Sequence, residues 1–326
     1  MQKLEKSVFW TMVKLISNLK GFYANNPVVA MGMFDGVHQG HKALLTRLIE
    51  KAREFNGDSV VLTFWPHPRL VLEQDPKELK LLSTIEEKTL LLSETGIDKI
   101  VVLPFTKELS LLPAEAFIRQ YLLDKIGMRH LIVGYNHRFG HGGIDKSQLR
   151  TLSEELHFSF DFFGPAVIDG VKPSSTIIRK MIGDGDVWEA SKLLGRFYGL
   201  KGRIGRGRKL GRELGFPTAN IEIGDTIKLI PHDGVYACRV HLLGKNYGGM
   251  INIGGRPTID GLSGEKSLEV HIFDFAREVY AEEITVEFIK RTRPEIKFPN
   301  INALKERLKK DEVEVKEILK KAGVIH

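Results

Sequence analysis

Two histidines, His38 and His41, are separated only by a glutamine and a glycine, and they end the glycine-rich stretch 32–41. An apolar run, Val28–Met31, precedes this stretch and predicts a buried strand. The residues that follow show helical apolar spacing, and Asn56-Gly57 is a typical helix stop. The histidines are therefore predicted to lie at a turn between a strand and a helix.

Such a turn exposes unpaired backbone N–H groups beside the positive end of a helix dipole, and both features bind anions. Gly40 has no Cβ and leaves room for a phosphate group to approach the backbone. The H-x-G-H spacing is typical of nucleotidylyltransferases, which attack the α-phosphate of a nucleoside triphosphate and release pyrophosphate. The alternative is a turn with two histidines that have no role. The position after a strand, with Gly32, Phe34 and Asp35 ahead of the histidines, favours the phosphate site.

A second group of phosphate-binding candidates begins a later predicted helix. Ser174, Ser175 and Thr176 offer hydroxyl groups and helix-terminal N–H groups, and Arg179 offers a planar guanidinium for phosphate oxygens. The alternative is an ordinary helix cap followed by a solvated arginine.

Two further loops follow predicted strands. The loop 134–140 combines glycines with polar residues, and Asn136 in it is a candidate ligand-binding residue, although a plain turn is the alternative. Phe64, Pro66 and His67 place rings at the end of another strand, where they could stack on a planar ligand. The alternative for them is the edge of the core.

Apolar runs alternate with helical patterns from residue 28 to about residue 162. This alternation predicts an α/β fold, a Rossmann-like doubly wound parallel sheet with helices on both faces. Ligands of such sheets bind beyond the carboxyl ends of the strands, and loops 32–41, 64–68 and 134–143 follow those ends.

The pattern changes near residue 197 to short strands separated by glycine turns. This change predicts a C-terminal antiparallel β-barrel with a C-terminal helix from about Asn302 to Lys321. The predicted domains are residues 1–185 and 197–326, joined by a linker helix at 186–196.

The predicted barrel begins with a basic glycine loop, 205–212. Leu210 stands where a dinucleotide fingerprint needs glycine, and no Gly-Lys-Ser/Thr of a P-loop occurs. The loop can still surround phosphates with the backbone at Gly205 and the side chain of Arg212, while Thr218 and Asn220 can offer oxygens to Mg²⁺.

Glu269 lies in an otherwise apolar strand between Leu268 and Val270. Strand alternation places Glu269 and His271 on the opposite face from these two apolar neighbours. On the ligand side of the barrel Glu269 would be a general base, and on the outside it would be a solvated strand residue.

Composition limits the classes of protein. The chain has 326 residues with a net charge of +7, and its apolar runs are too short for a transmembrane span. The short apolar runs predict no membrane partner. The single cysteine, Cys238, cannot form an intrachain disulfide, which predicts a reducing, cytoplasmic location. Basic residues spread along the chain fit phosphate-rich substrates as well as nucleic acid.

The motifs together resemble those of the prokaryotic bifunctional riboflavin kinase/FAD synthetase family over nearly the whole chain, from about 17 to 322. The first half carries Gly-x-Phe-Asp-Gly-Val-His-x-Gly-His, Thr-Phe-x-Pro-His-Pro and Ser-Ser-Thr-x-x-Arg. The second half carries Gly-Arg-x-Leu-Gly-Phe-Pro-Thr-Ala-Asn, Asn-Ile-Gly-x-x-Pro-Thr, Leu-Glu-Val-His and Arg-Pro-Glu.

The resemblance implies two reactions with ATP as co-substrate. The barrel would phosphorylate riboflavin to FMN, and the first domain would adenylylate FMN to FAD, so that flavins are substrate and product rather than prosthetic groups. His38, His41 and Arg179 would stabilise charge on the phosphates, and Glu269 would be the base. Arg293 would lie by the flavin.

Further implied contacts are with Mg²⁺ and with the substrates. The residues that would contact ATP or its phosphates are Gly32, Phe34, Asp35, Gly40, Asn136, Ser174, Ser175, Thr176, Gly205, Arg212, Thr218 and Asn220, the last two also near Mg²⁺. Phe64, Pro66 and His67 would contact flavin.

The sequence departs from the family pattern in two places. Asn136-His137 replaces an Asp-Phe pair, so a metal role at position 136 is not expected. Glu278-Val279-Tyr280-Ala281 replaces a segment that ends in glycine, which affects a tight turn.

Two functions are alternatives to the bifunctional flavin enzyme. One is an adenylyltransferase with a single activity and a different substrate, which a barrel active in FMN formation would exclude. The other is a basic RNA- or flavin-binding regulator, which needs aromatic residues among its basic ones, whereas the loop 205–212 has none. We therefore expect no nucleic-acid partner, and a monomer or weak homo-oligomer.

Overall fold

The computed structural model describes residues 19–72, 79–135, 143, 145–205, 211, 214–255 and 266–325. The chain divides into two compact units, with the division between Ser175 and Thr176. No helix in the described part of the chain is long and apolar enough to cross a membrane.

The first unit is built on a five-stranded parallel sheet with the order β3-β2-β1-β4-β5. The strands are β1 (Val28–Met31), β2 (Ser59–Trp65), β3 (Lys99–Pro104), β4 (His130–Gly134) and β5 (Ser159–Phe163). Every residue of β1 is buried, as expected of a central parallel strand that is covered on both faces. The predicted doubly wound sheet is confirmed.

Helices connect these strands. They are α1 (Gln39–Glu54), α2 (Pro68–Leu72), α3 (Ile85–Ser93), α4 (Lys107–Ser110), α5 (Ala114–Phe117) and α6 (Lys146–Glu155). Helix α5 continues directly as a π-helical segment, Ile118–Lys125. The short helices α2 and α4 were not predicted, because a few residues carry too little periodicity to show a helix.

Side chains alternate between the two faces of this sheet. Val29 and Met31 of β1 belong to one apolar cluster, and Val28 and Ala30 belong to another. The second cluster also contains Leu44, Leu45 and Leu48 of α1. Both faces of β1 are therefore packed, which holds its carboxyl end in place where the histidine turn begins.

The second unit begins at the second residue of α7 (Ser175–Asp184) and contains α8 (Val187–Leu194), and a closed six-stranded barrel follows. Its strands are β6 (Tyr198–Gly205), β7 (Ala219–Glu222), β8 (Gly234–Leu242), β9 (Lys245–Gly255), β10 (Lys266–Ile272) and β11 (Glu283–Arg293). They pair antiparallel in the closed order β10-β7-β6-β11-β8-β9, which confirms the predicted barrel.

A C-terminal helix, α9 (Ile301–Lys321), follows the barrel, as predicted. Its Val315 and Leu319 are fully buried and pack with barrel residues such as Ala237 and Ile289. Asn300 begins the helix, and its side-chain oxygen accepts a hydrogen bond from Ala303 N at 2.9 Å.

Two candidate active sites

His38 is itself the residue that caps helix α1. Its backbone is extended, and its Nδ1 accepts a hydrogen bond from His41 N at 3.3 Å. An Nδ1 that accepts a hydrogen bond carries no proton in the neutral ring, so the proton lies on Nε2. The first turn of α1 contains no acidic residue to neutralise the helix dipole. Both histidines thus lie at the turn between a strand and a helix that the sequence predicted, beside the N-terminus of α1.

The turn is held in an unusual backbone conformation. Phe34 and Val37 have positive φ angles of 49° and 37°, although neither is glycine. Val37 is fully buried and β-branched, and a positive φ in such a residue is an outlier that surrounding packing must enforce. Gly36, with φ +77°, lies so close to Leu82 that an added Cβ would be 2.7 Å from its side chain. The loop is therefore preorganised.

The two imidazole rings stack, with centroids 3.6 Å apart and planes inclined by 16°. Burial lowers the pKa of His41 well below its ordinary value, and the neighbouring His38 and Lys88 lower it further. The buried His41 Nδ1 has no hydrogen-bond partner within the described residues. His41 is therefore a neutral ring with an unused nitrogen, suited to a hydrogen bond with a ligand.

Gly40, Ser175 and Asp35, which were also predicted at this site, lie close to the histidine turn. Gly40 lies against the His38 ring, since an added Cβ would be 3.2 Å from it, and Ser175 Oγ donates to Asp35 O at 2.9 Å. The buried Asp35 carboxylate accepts hydrogen bonds from the N–H groups of Leu82 and Ser83. Asp35 thus anchors the loop to a neighbouring segment of the chain.

The residues at the end of β2 were predicted to contact a planar ligand. The Phe64 ring packs against Phe105 and Phe117, with centroids 5.7 and 6.2 Å apart, so it belongs to the edge of the core. His67 Nδ1 accepts a hydrogen bond from Arg69 N at 3.2 Å, while Pro66 follows directly after β2.

The other predicted phosphate-binding residues lie at the following positions. Gly32 lies just after β1, where an added Cβ would be 3.2 Å from the Phe34 ring. Ser174 precedes α7, and Arg179 donates to Thr176 Oγ1 within α7 at 3.4 Å. Asn136, Arg212 and the loop 206–210 lie outside the described residues.

Strand register assembles the second site in the barrel. Glu269 on β10 pairs with Asn220 on β7 and with Asn252 on β9. Directly paired residues of antiparallel strands project from the same face, so the three polar side chains form a row. Glu269 is half-buried, and Ser267 Oγ donates to its Oε1 at 3.2 Å.

Two cavities meet beside this row. One, of about 330 Å³, is lined by Gly205, Thr218 and Asn220 and by the segment 275–280. The other, of about 270 Å³, is lined by Thr218 together with Asn252, Glu269, His271 and Arg293. Thr218 contributes to both walls, so the two cavities are neighbours.

Glu269 and His271 line the same cavity, so they share one face of β10, as strand alternation predicted. His271 Nδ1 lies 2.8 Å from Pro217 O, so Nδ1 carries the proton and donates it to the carbonyl. His271 and Asn252 were not among the predicted site residues. Only the register of β9 with β10 reveals Asn252.

The guanidinium group of Arg293 donates its hydrogen bonds to acceptors within the protein. Its Nε and NH2 groups donate to Asp311 at 2.7–3.1 Å, and its NH1 group donates to Pro294 O at 3.0 Å. Asp311 is fully buried on α9 and also lies 2.8 Å from Arg307 Nε. The arginine therefore joins the wall of the cavity to the C-terminal helix.

We expect Asp311→Asn to destabilise the fold by about 3 kcal/mol or more, because it leaves two guanidinium groups near a buried neutral amide. Chemical denaturation monitored by circular dichroism measures this effect. Glu306→Gln on the same helix is the control, since the ion pair of Glu306 with Lys309 is exposed and we expect no measurable change in the unfolding midpoint. Equal midpoints for the two variants would contradict a structural role of Asp311.

Two family models match separate parts of the chain. The model of the FAD synthetase family matches residues 23–177, and that of the riboflavin kinase family matches residues 194–319. The chain belongs to the family of bifunctional riboflavin kinase/FMN adenylyltransferases.

Similar proteins extend over most of the chain. A bifunctional riboflavin kinase/FMN adenylyltransferase of Listeria monocytogenes is 37% identical over 287 residues, which cover 88% of this chain and 90% of that protein. One from Escherichia coli K12 is 34% identical over 309 residues, covering 94% and 97%. A crystal structure from Streptococcus pneumoniae described as a macrolide-efflux protein has a TM-score of 0.86 and 30% identity, covering 94% and 99%.

Proposed function

We propose that this chain makes FMN from riboflavin at the barrel site and converts FMN to FAD at the histidine turn, with ATP as the co-substrate of both reactions. The observation that carries the proposal is that each unit has its own site with a different chemistry. One is an anion-binding helix terminus with two stacked imidazoles, and the other is a carboxylate beside paired cavities. Both reactions use ATP, so we place the protein in the cytoplasm.

Adenylyl transfer needs charge stabilisation more than acid–base chemistry. A phosphate oxygen of FMN attacks the α-phosphorus of ATP, and the bond to the bridging oxygen breaks, so that pyrophosphate leaves with the electron pair. His38 and His41 donate hydrogen bonds to the phosphate oxygens, and the N–H groups at the start of α1 add to them. Ser174, Ser175, Thr176 and Arg179 hold the outer phosphates in this proposal.

Phosphoryl transfer in the barrel needs a base and a positioned triphosphate. Glu269 accepts the proton of the 5′-hydroxyl of riboflavin. The hydroxyl oxygen attacks the γ-phosphorus of ATP at the same time, and ADP leaves. ATP occupies the cavity at Gly205 and Asn220, and riboflavin occupies the cavity at Glu269 and Arg293. Each cavity has the volume expected of one end of a ligand cleft.

Magnesium fits the wall of the cavity proposed for ATP. Thr218 and Asn220 offer neutral oxygens there, and Mg²⁺ is commonly bound by one or two protein oxygens together with substrate phosphates and water. Groups of three or more His, Cys, Asp or Glu side chains able to hold a metal are absent from the described ranges. When bound with ATP, the ion would neutralise charge on the phosphates.

Incubation of the full chain with riboflavin and Mg·ATP, followed by chromatographic separation of the flavins, tests the proposal. We expect FMN first and FAD later, with pyrophosphate release that follows FAD. FMN as the only product would contradict the second activity. Binding of RNA without either product would favour the regulator considered above.

Two fragments test the division of activities. We retain residues 1–185 and 197–326 as the proposed domains, yet α8 buries Val187, Ala190 and Leu194 fully. We expect a fragment of 176–326 to form FMN and no FAD. A fragment of 197–326 should do the same at a lower melting temperature, since each lost buried aliphatic side chain removes about 2 kcal/mol.

Thermal unfolding and FMN formation by both fragments measure this prediction. A folded 176–326 fragment that forms no FMN would show that the kinase site needs the first unit.

A further inference from the structure

A buried lysine, Lys88, lies close to the histidine turn and has no part in the chemistry above. It belongs to the first turns of α3, and only 3% of its surface is exposed. Lysine is almost never buried so deeply unless its ammonium group has oxygen partners, because an unpaired buried charge costs several kcal/mol. The partners of Lys88 therefore indicate its role.

The ammonium nitrogen of Lys88 has three oxygen partners. Nζ donates to Thr63 Oγ1 at 3.1 Å, to Phe64 O at 3.2 Å and to Met33 O at 3.3 Å. An ammonium group carries three donors on one atom, so these acceptors match its full capacity. No donor remains for a substrate phosphate, and the group is suited to holding protein atoms in place.

The three acceptors belong to two separate segments. Met33 lies in the loop that leads to His38, whereas Thr63 and Phe64 lie at the carboxyl end of β2. Thr63 Oγ1 also donates to Met33 O at 3.3 Å, so the two segments meet directly at the ammonium group. Lys88 thus joins the loop of the histidine site to the strand end that precedes the proposed flavin-binding segment.

A second set of contacts joins the same loop to the segment before α3. The Asp35 carboxylate accepts hydrogen bonds from Leu82 N and Ser83 N, and Gly36 N donates to Ser83 Oγ. The loop is therefore held on one side through Asp35 and on the other through Lys88. With φ outliers at Phe34 and Val37, it needs such restraints to keep one conformation.

We propose that Lys88 is a positioning residue for adenylyl transfer, which sets the distance between the histidine turn and the carboxyl end of β2. This inference rests on the proposed FMN adenylyltransferase activity of the first unit. The turn holds the triphosphate of ATP, and the end of β2 leads to the segment that holds FMN. The ammonium group fixes the relative position of the two reactants without touching either.

The charge of Lys88 gives the role a pH dependence. Burial lowers the pKa of Lys88 to about 8, partly offset by the negative charge of Asp35. The other titratable group facing it is His41, whose pKa is lowered well below its ordinary value, so it does not titrate in this range. The ammonium group therefore loses its proton, and one donor, as the pH rises through about 8.

Deprotonation of Lys88 is expected to lower the rate of FAD formation, but it does not lower the stability of the fold. The pKa of Lys88 is lower in the folded chain than in the unfolded one, so between these two values the unfolded chain binds more protons. The contribution of Lys88 to stability then rises with pH. A fall in activity over this range is thus not a result of unfolding by this group.

The experiment uses the full chain with Lys88→Met and Lys88→Arg, and Lys125→Met as the control for loss of an exposed lysine. FAD formation from FMN and FMN formation from riboflavin are both measured with Mg·ATP between about pH 7 and about pH 9.5. We expect Lys88→Met to lower the kcat of FAD formation by about 10-fold to 10²-fold, the size of effect expected for misplaced reactants. FMN formation, and both activities of Lys125→Met, should stay at the level of the unmodified chain.

The pH profiles separate positioning from general packing. In the unmodified chain the ratio of FAD to FMN formation should fall as the pH rises through about 8. Lys88→Arg should move this fall beyond the measured range, because guanidinium stays protonated there. Lys88→Met with an unchanged kcat, or a ratio that stays level across the range in the unmodified chain, would overturn the proposal.

Two outcomes keep this inference distinct from the proposed function. An unmodified chain that forms no FAD at about pH 7 contradicts the adenylyltransferase activity itself. A chain that forms FAD with a level ratio contradicts only the role of Lys88. If Lys88→Met does not fold, the pH profiles of the unmodified chain and of Lys88→Arg still show whether the adenylyltransferase activity or only the role of Lys88 is wrong.

Discussion

Glu269→Gln should lower the kcat of FMN formation by about 10²-fold to 10⁴-fold, the usual contribution of a general base. The variant keeps the shape of the side chain and the oxygen that accepts from Ser267 Oγ, so the strand row with Asn220 and Asn252 stays intact. Only the ability to take the hydroxyl proton is lost. Steady-state formation of FMN from riboflavin and Mg·ATP measures the effect.

Glu287→Gln is the matched control. Glu287 is also a strand carboxylate of the barrel, but it pairs with Arg239 and His241, both at 3.0 Å, and lies away from the two cavities. We expect FMN formation by this control to stay within about 2-fold of the unmodified chain, because surface ion pairs contribute little. FAD formation from supplied FMN should be unchanged in both variants. Full kinase turnover by a folded Glu269→Gln chain would exclude Glu269 as the base.

His41→Ala should lower FAD formation by about 10²-fold or more, the loss expected when one preorganised donor to a developing charge is removed. His41 is neutral, partly buried and stacked on His38, and its Nδ1 has no partner among the described residues. The Nδ1 of His41 is therefore available for contact with a ligand. His38→Ala should lower FAD formation to at least the same degree, since it also removes the cap of α1.

The control for the histidines is His157→Asn, at an exposed position with φ +55°, which asparagine tolerates. We expect this control to form FAD at the rate of the unmodified chain, and we expect all three variants to form FMN normally. A parallel loss of FMN and FAD formation in His41→Ala would indicate misfolding. Unchanged FAD formation in that variant would remove His41 from the mechanism.

The prediction for Lys88 differs from these two in kind. His41 and Glu269 are proposed to touch the reacting groups, and their loss removes one interaction made in the transition state. Lys88 has its three donors on protein oxygens, and its loss would change the distance between two bound substrates. The smaller effect and the pH dependence expected for it follow from this difference.

The sequence by itself was sufficient for the fold class and for the position of the histidine turn between a strand and a helix. The H-x-G-H segment is local, and its flanking strand and helix have strong periodic signals, so the confirmed turn needs no distant residue to be recognised. The alternation around Glu269 likewise limited it to one of two faces of β10. The C-terminal helix, Ile301–Lys321, starts within one residue of its predicted start at Asn302.

The tertiary structure alone decided which residues are neighbours. Asn252 joins Glu269 through strand register, and Asp311 meets Arg293 across 18 positions of sequence. Lys88 is the clearest case, because a lysine near the start of a helix is expected at the surface. Its acceptors are 24, 25 and 55 residues away in the chain. Periodicity shows which face of an element a residue occupies, but the packing of separate elements decides what that face contacts, and this packing buries the ammonium group of Lys88 beside the histidine turn.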